Sequence, residues 1–107
     1  MDILKTGGEK ISALEIEEVL RRHPDVADAA VVGVPDPEWG DRVCAAVVPR
    51  EGRSPDAEAL KALARAELAP YKVPKEIQFV LELPRNALGK VLKPEVRMMF
   101  EEEEPNA

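Results

Sequence analysis

The sequence contains one cysteine, four aromatic residues and no long apolar run. Because Cys44 has no second cysteine to pair with, no internal disulfide can form, and a disulfide-built scaffold is excluded. No apolar stretch approaches the roughly 20 residues that cross a bilayer as a helix. The N-terminus also lacks the basic-then-apolar layout of a signal peptide. We therefore expect no transmembrane segment and a cytoplasmic location.

Acidic residues outnumber basic ones, and the formal net charge is −6. This balance argues against nucleic acid or an anionic membrane as a partner, because both favour a basic surface. The charge is uneven, however: residues 70–97 carry a net charge of +3, and the remainder of the chain carries −9. A local basic region on an acidic domain suits a small phosphorylated ligand better than a polymer.

The length of 107 residues fits one small domain, and the residue pattern predicts an α+β fold. We expect a small N-terminal hairpin that turns at Gly7-Gly8, followed by a roughly three-stranded sheet flanked by helices. The predicted elements are a helix begun by Ser12, strands over 26–34, 42–48 and 77–81, a helix begun by Ser54-Pro55, and a short helix opened by Pro94 and running through Met99. In the third strand, Ile77, Phe79 and Leu81 alternate and predict one buried face.

Taken singly, the motifs do not identify a chemistry. Residues 7–10 are glycine-rich but lack the spacing of a phosphate-binding loop, and Val91 after Gly89-Lys90 offers no hydroxyl for magnesium. His23 has no second histidine or cysteine at metal-ligand spacing, so we expect no metal site. An exposed loop lysine such as Lys90 is ordinarily only solvated.

The order of four segments is more specific. They are ILKTGGEKISALEIE at residues 3–17, HPDVADAAVVGVPDPEWG at 23–40, LAPYKVPK at 68–75 and LPRNALGKV at 83–91. In this order they resemble the C-terminal, or lid, domain of AMP-forming acyl-CoA synthetases, in the superfamily that also holds adenylation domains and luciferases. The resemblance covers nearly all of residues 2–99 and is nearest to fatty-acyl and malonyl-CoA synthetases.

The resemblance implies a division of labour between two domains. A large N-terminal domain binds ATP and the carboxylic acid, and the small domain first closes over them and then rotates to present another face for thioester formation. Lys90 matches the lysine that reaches the acyl carboxylate and the α-phosphate during adenylation. A placed ammonium stabilises the negative charge that grows there as pyrophosphate leaves. Mg²⁺ is expected to accompany ATP without being bound by this domain.

The resemblance also implies a face that meets coenzyme A. The Gly7-Gly8 loop, with Lys10 beside it, matches the segment that lines the pantetheine tunnel after rotation. Trp39, Tyr71 and Lys75 match positions that hold the CoA nucleotide in some relatives, by stacking and by phosphate pairing. Two residues depart from the family pattern: Glu9 replaces an aromatic, histidine or basic residue, and Val73 replaces an arginine found in some relatives.

The expected partners are therefore an N-terminal synthetase domain, acyl-adenylate and CoA, with ATP and AMP shared with the absent domain. We expect the lid domain to span residues 1–100 and an acidic, disordered tail to span 101–107. The family hinge lies just before Asp2, so the chain starts at the hinge, as an excised domain or short product would, and alone it should be inactive. Two alternatives stay open: the lid of a carrier-protein-loading adenylation domain, and a non-catalytic interaction module with the same fold.

Overall fold

A computed structural model describes residues 3–6, 9–38 and 40–101, with only the backbone of residues 5, 6, 9 and 10. In chain order the elements are β1 (Ile3–Thr6), β2 (Glu9–Ser12), α1 (Ala13–Arg21), β3 (Val26–Asp36), β4 (Gly40–Pro49), α2 (Ala57–Glu67), a 3-10 helix (Pro70–Lys72), β5 (Glu76–Phe79) and α3 (Lys93–Glu101). The prediction of a small α+β domain is confirmed. No helix of the described part of the chain is long and apolar enough to cross a membrane.

Strand β4 organises the sheet. It pairs antiparallel with β3 over its whole length, and on its other edge it pairs in parallel with β5. The β1–β2 hairpin joins β4 at the single pair Thr6–Gly40. The long β3–β4 pairing extends past Pro35 to Asp36, so the predicted end of that strand at residue 34 is wrong. Pro35 lies opposite Asp41 and is tolerated because β3 is an edge strand.

The sheet is buried on both faces, which explains why β3 and β4 read as continuous apolar runs. One face packs against α1 and α2 through a cluster that includes Val31, Val47, Ile16 and Leu60. The opposite face packs against α3 and the segment before it, with Phe100 fully buried there. Cys44 lies buried in this second cluster and forms no disulfide.

Two helix starts test the capping predictions. Ser12 caps α1, as predicted, and its Oγ accepts from the Glu15 N–H at 3.4 Å, the bond that the first residue of a capping box forms with the fourth. The predicted start of α2 at Ser54-Pro55 is wrong by two residues, because Asp56 is the cap and its carboxylate accepts from the Ala59 N–H at 3.3 Å. An aspartate satisfies a free helix N–H as well as serine does, and its charge also favours the helix N-terminus.

The predicted buried face of the third strand is also wrong. Strand β5 ends at Phe79, which is 40% exposed, and Leu81 lies beyond it and is 97% exposed. Only Ile77 of the alternating set packs against the core. At the C-terminus, α3 continues past Met99 to Glu101, so the first residue of the predicted tail is helical, and residues 102–107 lie outside the described residues.

Candidate functional site

A tight hairpin between Pro84 and Leu92 carries Lys90. Arg85 and Val91 form an antiparallel bridge, and the Leu92 N–H donates to the Pro84 carbonyl at 2.9 Å. These contacts close the base of the hairpin against the second core cluster, to which Leu83 and Val91 contribute. The loop is therefore attached to the folded domain on both sides of Lys90.

The turn of this hairpin is fixed by Asn86. Its side-chain oxygen accepts from the backbone N–H groups of Leu88 at 2.9 Å and of Lys90 at 3.0 Å. Its own N–H donates to the Lys90 carbonyl, and its carbonyl accepts from the Gly89 N–H, both at 2.9 Å. Gly89 has φ +86°, a left-handed conformation that favours glycine. The local sequence thus holds the Lys90 backbone in one place.

The side chain of Lys90 is exposed, and within the described residues it makes no hydrogen bond or ion pair. It borders two shallow depressions. One, of about 220 Å³, is also lined by Glu17, Arg21 and Lys93, and the other, of about 330 Å³, runs from Asn86 to Pro94. An unpaired ammonium on a fixed backbone is available to an anion brought by a partner.

Charged side chains cover the free edge of β3 beside this loop. Glu17 is only 7% exposed, and its Oε2 accepts from the Val31 N–H at 2.8 Å and from Lys93 Nζ at 2.9 Å. Lys93 Nζ also donates to the Val31 carbonyl at 2.9 Å, and Arg97 Nε donates to the Gly33 carbonyl at 3.0 Å. These bonds satisfy backbone groups that an edge strand otherwise exposes.

The predicted CoA residues that the structure describes lie elsewhere. Tyr71 is exposed on the 3-10 helix, and Lys75 is exposed just before β5, with its N–H donating to the Val43 carbonyl at 2.8 Å. Since β3 and β5 occupy opposite edges of β4, the structure does not bring Tyr71 and Lys75 together with Lys90. The two sets of predicted site residues therefore lie on separate faces of the domain.

Lys72 lies between Tyr71 and helix α1. Its Nζ donates to Glu15 Oε1 at 2.9 Å and lies 5.9 Å from the centre of the Tyr71 ring. The hydrogen bond to the Glu15 carboxylate raises the pKa of Lys72 above its usual value. The lysine therefore remains charged at neutral pH and holds the 3-10 helix against α1.

Three predicted site residues, Gly7, Gly8 and Trp39, lie outside the described residues. Lys10 belongs to β2, where only its backbone is described. Within the described residues no group of three or more His, Cys, Asp or Glu is arranged to hold a metal ion.

Sequence reasoning missed the ion pairs beside Lys90. Arg85, within the hairpin, pairs with Asp28, which also pairs with Arg21, and Lys93 pairs with Glu17. One signal was present: Glu17 follows Ile16 on the apolar stripe of α1, where an acid must be paired if it is buried. Its partner Lys93 is 76 positions away, and no local pattern joins the two.

The fold and the site define a class of small α+β domain. At one sheet edge it presents Lys90, on a hairpin fixed to the core, and at the other edge it presents Tyr71 and Lys75. Residues 15–90 match the family described as the AMP-binding enzyme C-terminal domain. The chain belongs to this family, and the resemblance inferred from the four ordered segments is confirmed.

Similar proteins are much longer than this chain. It is 51% identical over 104 residues to the mitochondrial malonate–CoA ligase of Bos taurus, covering 96% of this chain and 18% of the ligase. It is 49% identical over 98 residues to the indoleacetate–CoA ligase of Aromatoleum aromaticum, covering 92% and 19%. Among solved structures, the amide bond synthetase McbA of Marinactinospora thermotolerans matches with a TM-score of 0.89 and 45% identity, covering 92% and 20%. The chain thus spans about a fifth of each.

Gly89→Ala should destabilise the domain by about 1 kcal/mol and displace the Lys90 backbone. The reason is that alanine adopts the left-handed conformation of residue 89 only at a cost in free energy. A Cβ at Gly89 would meet no atom within 4 Å. Gly52→Ala is a matched control, since Gly52 has φ +78°, has equally open surroundings and lies in a remote turn. Urea unfolding should give similar losses for both variants, whereas only Gly89→Ala should shift the backbone amide signal of Lys90. A Lys90 signal that stays in place would contradict the assigned role of Gly89.

Proposed function

We propose that this chain is the mobile C-terminal domain of an AMP-forming carboxylic acid–CoA ligase and that Lys90 is its adenylation lysine. The single observation that carries the proposal is the state of Lys90. Its backbone is fixed by Asn86 and Gly89, whereas its ammonium is exposed and has no partner among the described residues. The surrounding cations Arg21, Arg85 and Lys93 are all paired with carboxylates, so Lys90 is the one positioned to serve a substrate.

In the proposed reaction, a carboxylic acid attacks the α-phosphorus of ATP and displaces pyrophosphate. As the bond from the carboxylate oxygen to the α-phosphorus forms and the bond to pyrophosphate breaks, negative charge lies on the α-phosphate oxygens; the Lys90 ammonium stabilises that charge and holds the carboxylate beside it. The lysine acts by charge and position and transfers no proton. Mg²⁺ would arrive with ATP and be held by the nucleotide and the N-terminal domain.

The second face of the proposal serves thioester formation. Tyr71 and Lys75 would contact the CoA nucleotide, the phenol ring by stacking and the ammonium by pairing with a phosphate. Gly7, Gly8, Lys10 and Trp39 complete the proposed CoA contacts. The separation of the two faces supports this proposal. A single rotation of the domain can move Lys90, beside β3, out of the active centre and bring Tyr71 and Lys75, beside β5, into it.

The acid that is activated would be chosen by the N-terminal domain. Similar ligases are named for different acids: one is a malonate–CoA ligase and another an indoleacetate–CoA ligase, yet they are 51% and 49% identical to this chain. We favour a malonyl- or fatty-acyl-type substrate because the four ordered segments resemble those synthetases, and not because of the percentage identity of this domain. A cytoplasmic location belongs to the same proposal, and the mitochondrial relatives make an organelle the competing outcome of a localisation experiment.

The test joins this chain to the N-terminal domain of malonate–CoA ligase and measures malonyl-CoA formation. The N-terminal domain alone should be nearly inactive, and the fusion should restore activity by at least about 10²-fold, because one placed charge at the reacting centre is worth that much. Equal activity with and without the chain would refute the proposal and favour a non-catalytic interaction module.

A second candidate function has one specific observation behind it. The amide bond synthetase McbA is as similar in structure to this chain as solved acyl-CoA synthetases are, with TM-scores of 0.87 to 0.89, so the alternative acceptor is an amine in place of CoA. Offering CoA, an amine and a phosphopantetheinyl carrier protein to the fusion discriminates among these. In the favoured reading CoA is used, and Lys75→Ala raises the KM for CoA without changing the KM for ATP.

A further inference from the structure

We propose that Arg85, held by Asp28, is a positioning residue for Lys90; the inference rests on the proposed adenylation role of that lysine. The guanidinium of Arg85 bridges two parts of the molecule. Its Nη1 donates to the Gly89 carbonyl at 2.8 Å, and its Nη2 pairs with Asp28 Oδ2 on β3. Arg85 therefore ties the peptide that precedes Lys90 directly to the sheet.

Asp28 is a rigid anchor because both of its oxygens are occupied. Oδ1 accepts from the Ala29 N–H at 2.8 Å and from Arg21 Nε at 3.2 Å, and Oδ2 accepts from Arg85. Arg21 is in turn held by α1, where its Nη2 lies 3.7 Å from Glu17 Oε1. The Asp28 carboxylate is therefore held in one orientation. The planar guanidinium of Arg85 binds it on one side and the Gly89 carbonyl on the other, so the position of Asp28 fixes the position of the Gly89 carbonyl.

The same network reaches the other side of the hairpin. Glu17 pairs with Lys93 at 2.9 Å, three residues after Lys90, and Arg85 lies five residues before it. The loop is thus braced on both flanks by carboxylates of α1 and β3. Because catalysis by a positioned charge depends on sub-ångström placement, loss of one brace should lower the rate without removing the charge itself.

The experiment uses the fusion with the malonate–CoA ligase N-terminal domain and compares Arg85→Ala with Arg53→Ala. Arg53 forms a similar surface ion pair with Asp25 at 3.3 Å, away from the hairpin. Arg85→Ala should lower kcat for acid-dependent ATP–pyrophosphate exchange by about tenfold and leave the KM values for ATP and acid unchanged, whereas Arg53→Ala should leave both unchanged. Thioester formation from supplied acyl-adenylate should be equal in all variants.

A double-mutant cycle separates positioning from general damage. If Arg85 acts through Lys90, Arg85→Ala should have no further effect on exchange once Lys90→Ala is present. Asp28→Asn keeps the side-chain shape and removes its charge; it should reproduce part of the loss, and it serves if Arg85→Ala folds poorly. In both variants ¹⁵N relaxation should report a more mobile Lys90 amide than in Arg53→Ala.

The outcomes separate two claims, the adenylation role of Lys90 and the positioning role of Arg85. If Lys90→Ala abolishes exchange but Arg85→Ala and Asp28→Asn behave like Arg53→Ala, the positioning role is overturned and the proposed function stands. If Lys90→Ala leaves exchange intact, the proposed function itself fails. Additive losses from Arg85→Ala and Lys90→Ala would overturn the claim that Arg85 works through the lysine.

Discussion

Lys90→Ala should lower acyl-CoA formation by the fused enzyme by about 10²- to 10³-fold, the loss expected when one group that stabilises transition-state charge is removed. The fold should not change, since the Lys90 side chain is exposed and makes no hydrogen bond or ion pair within the described residues, and the backbone bonds to Asn86 are kept in alanine. The measurement is steady-state thioester production at saturating acid, ATP and CoA.

Two control variants sharpen this expectation. Arg65→Ala removes an exposed cation from α2, away from the hairpin, and should leave the rate unchanged. Lys90→Arg keeps the charge but changes the length and shape of the donor, so it should recover only part of the activity. A Lys90→Ala enzyme within a factor of two of the parent would contradict the assignment of this lysine.

Glu17→Ala should lower the free energy of unfolding by about 3 kcal/mol, the order of loss seen when one partner of a buried ion pair is removed. The variant leaves the Val31 N–H without its side-chain acceptor and Lys93 without its carboxylate. Urea unfolding of the chain measures the change. Glu18→Ala, the exposed neighbour on the same helix, is the control and should change stability by less than about 0.5 kcal/mol.

A second pair of variants tests the physical reason. Replacing both partners, as Glu17→Leu with Lys93→Met, should be less destabilising than Glu17→Ala alone, because the double variant does not keep the Lys93 ammonium part-buried without the Glu17 carboxylate. If Glu17→Ala is no worse than Glu18→Ala, the ion pair does not stabilise the fold and the bracing of the hairpin by α1 loses its basis.

The overall fold could be predicted because its signals are local. The glycine pair of the hairpin, the Ser12 cap and the long apolar runs of β3 and β4 each specify an element within a few residues. The prediction failed where two nearby residues could each cap a helix: Asp56, and not Ser54, is the N-cap of α2. It also failed at Leu81, because alternation alone cannot reveal that β5 ends two residues earlier.

The candidate site divides in the same way. Lys90 and its turn can be predicted from the sequence, because Asn86 and Gly89 favour a turn and the segment resembles a known family motif. The ion pair between Asp28 and Arg85 cannot be predicted from the sequence. The two residues are 57 positions apart, and each alone resembles a solvated surface charge. Only the folding of β3 beside the hairpin brings them together.

The most direct test of the central claim is to measure the two half-reactions of the fused enzyme separately, with and without Lys90→Ala. We predict that acid-dependent ATP–pyrophosphate exchange falls by about 10²- to 10³-fold, whereas thioester formation from supplied acyl-adenylate is retained, because the lysine serves only the first step. Equal losses in both half-reactions, or exchange that survives intact, would contradict the claim that Lys90 is the adenylation lysine.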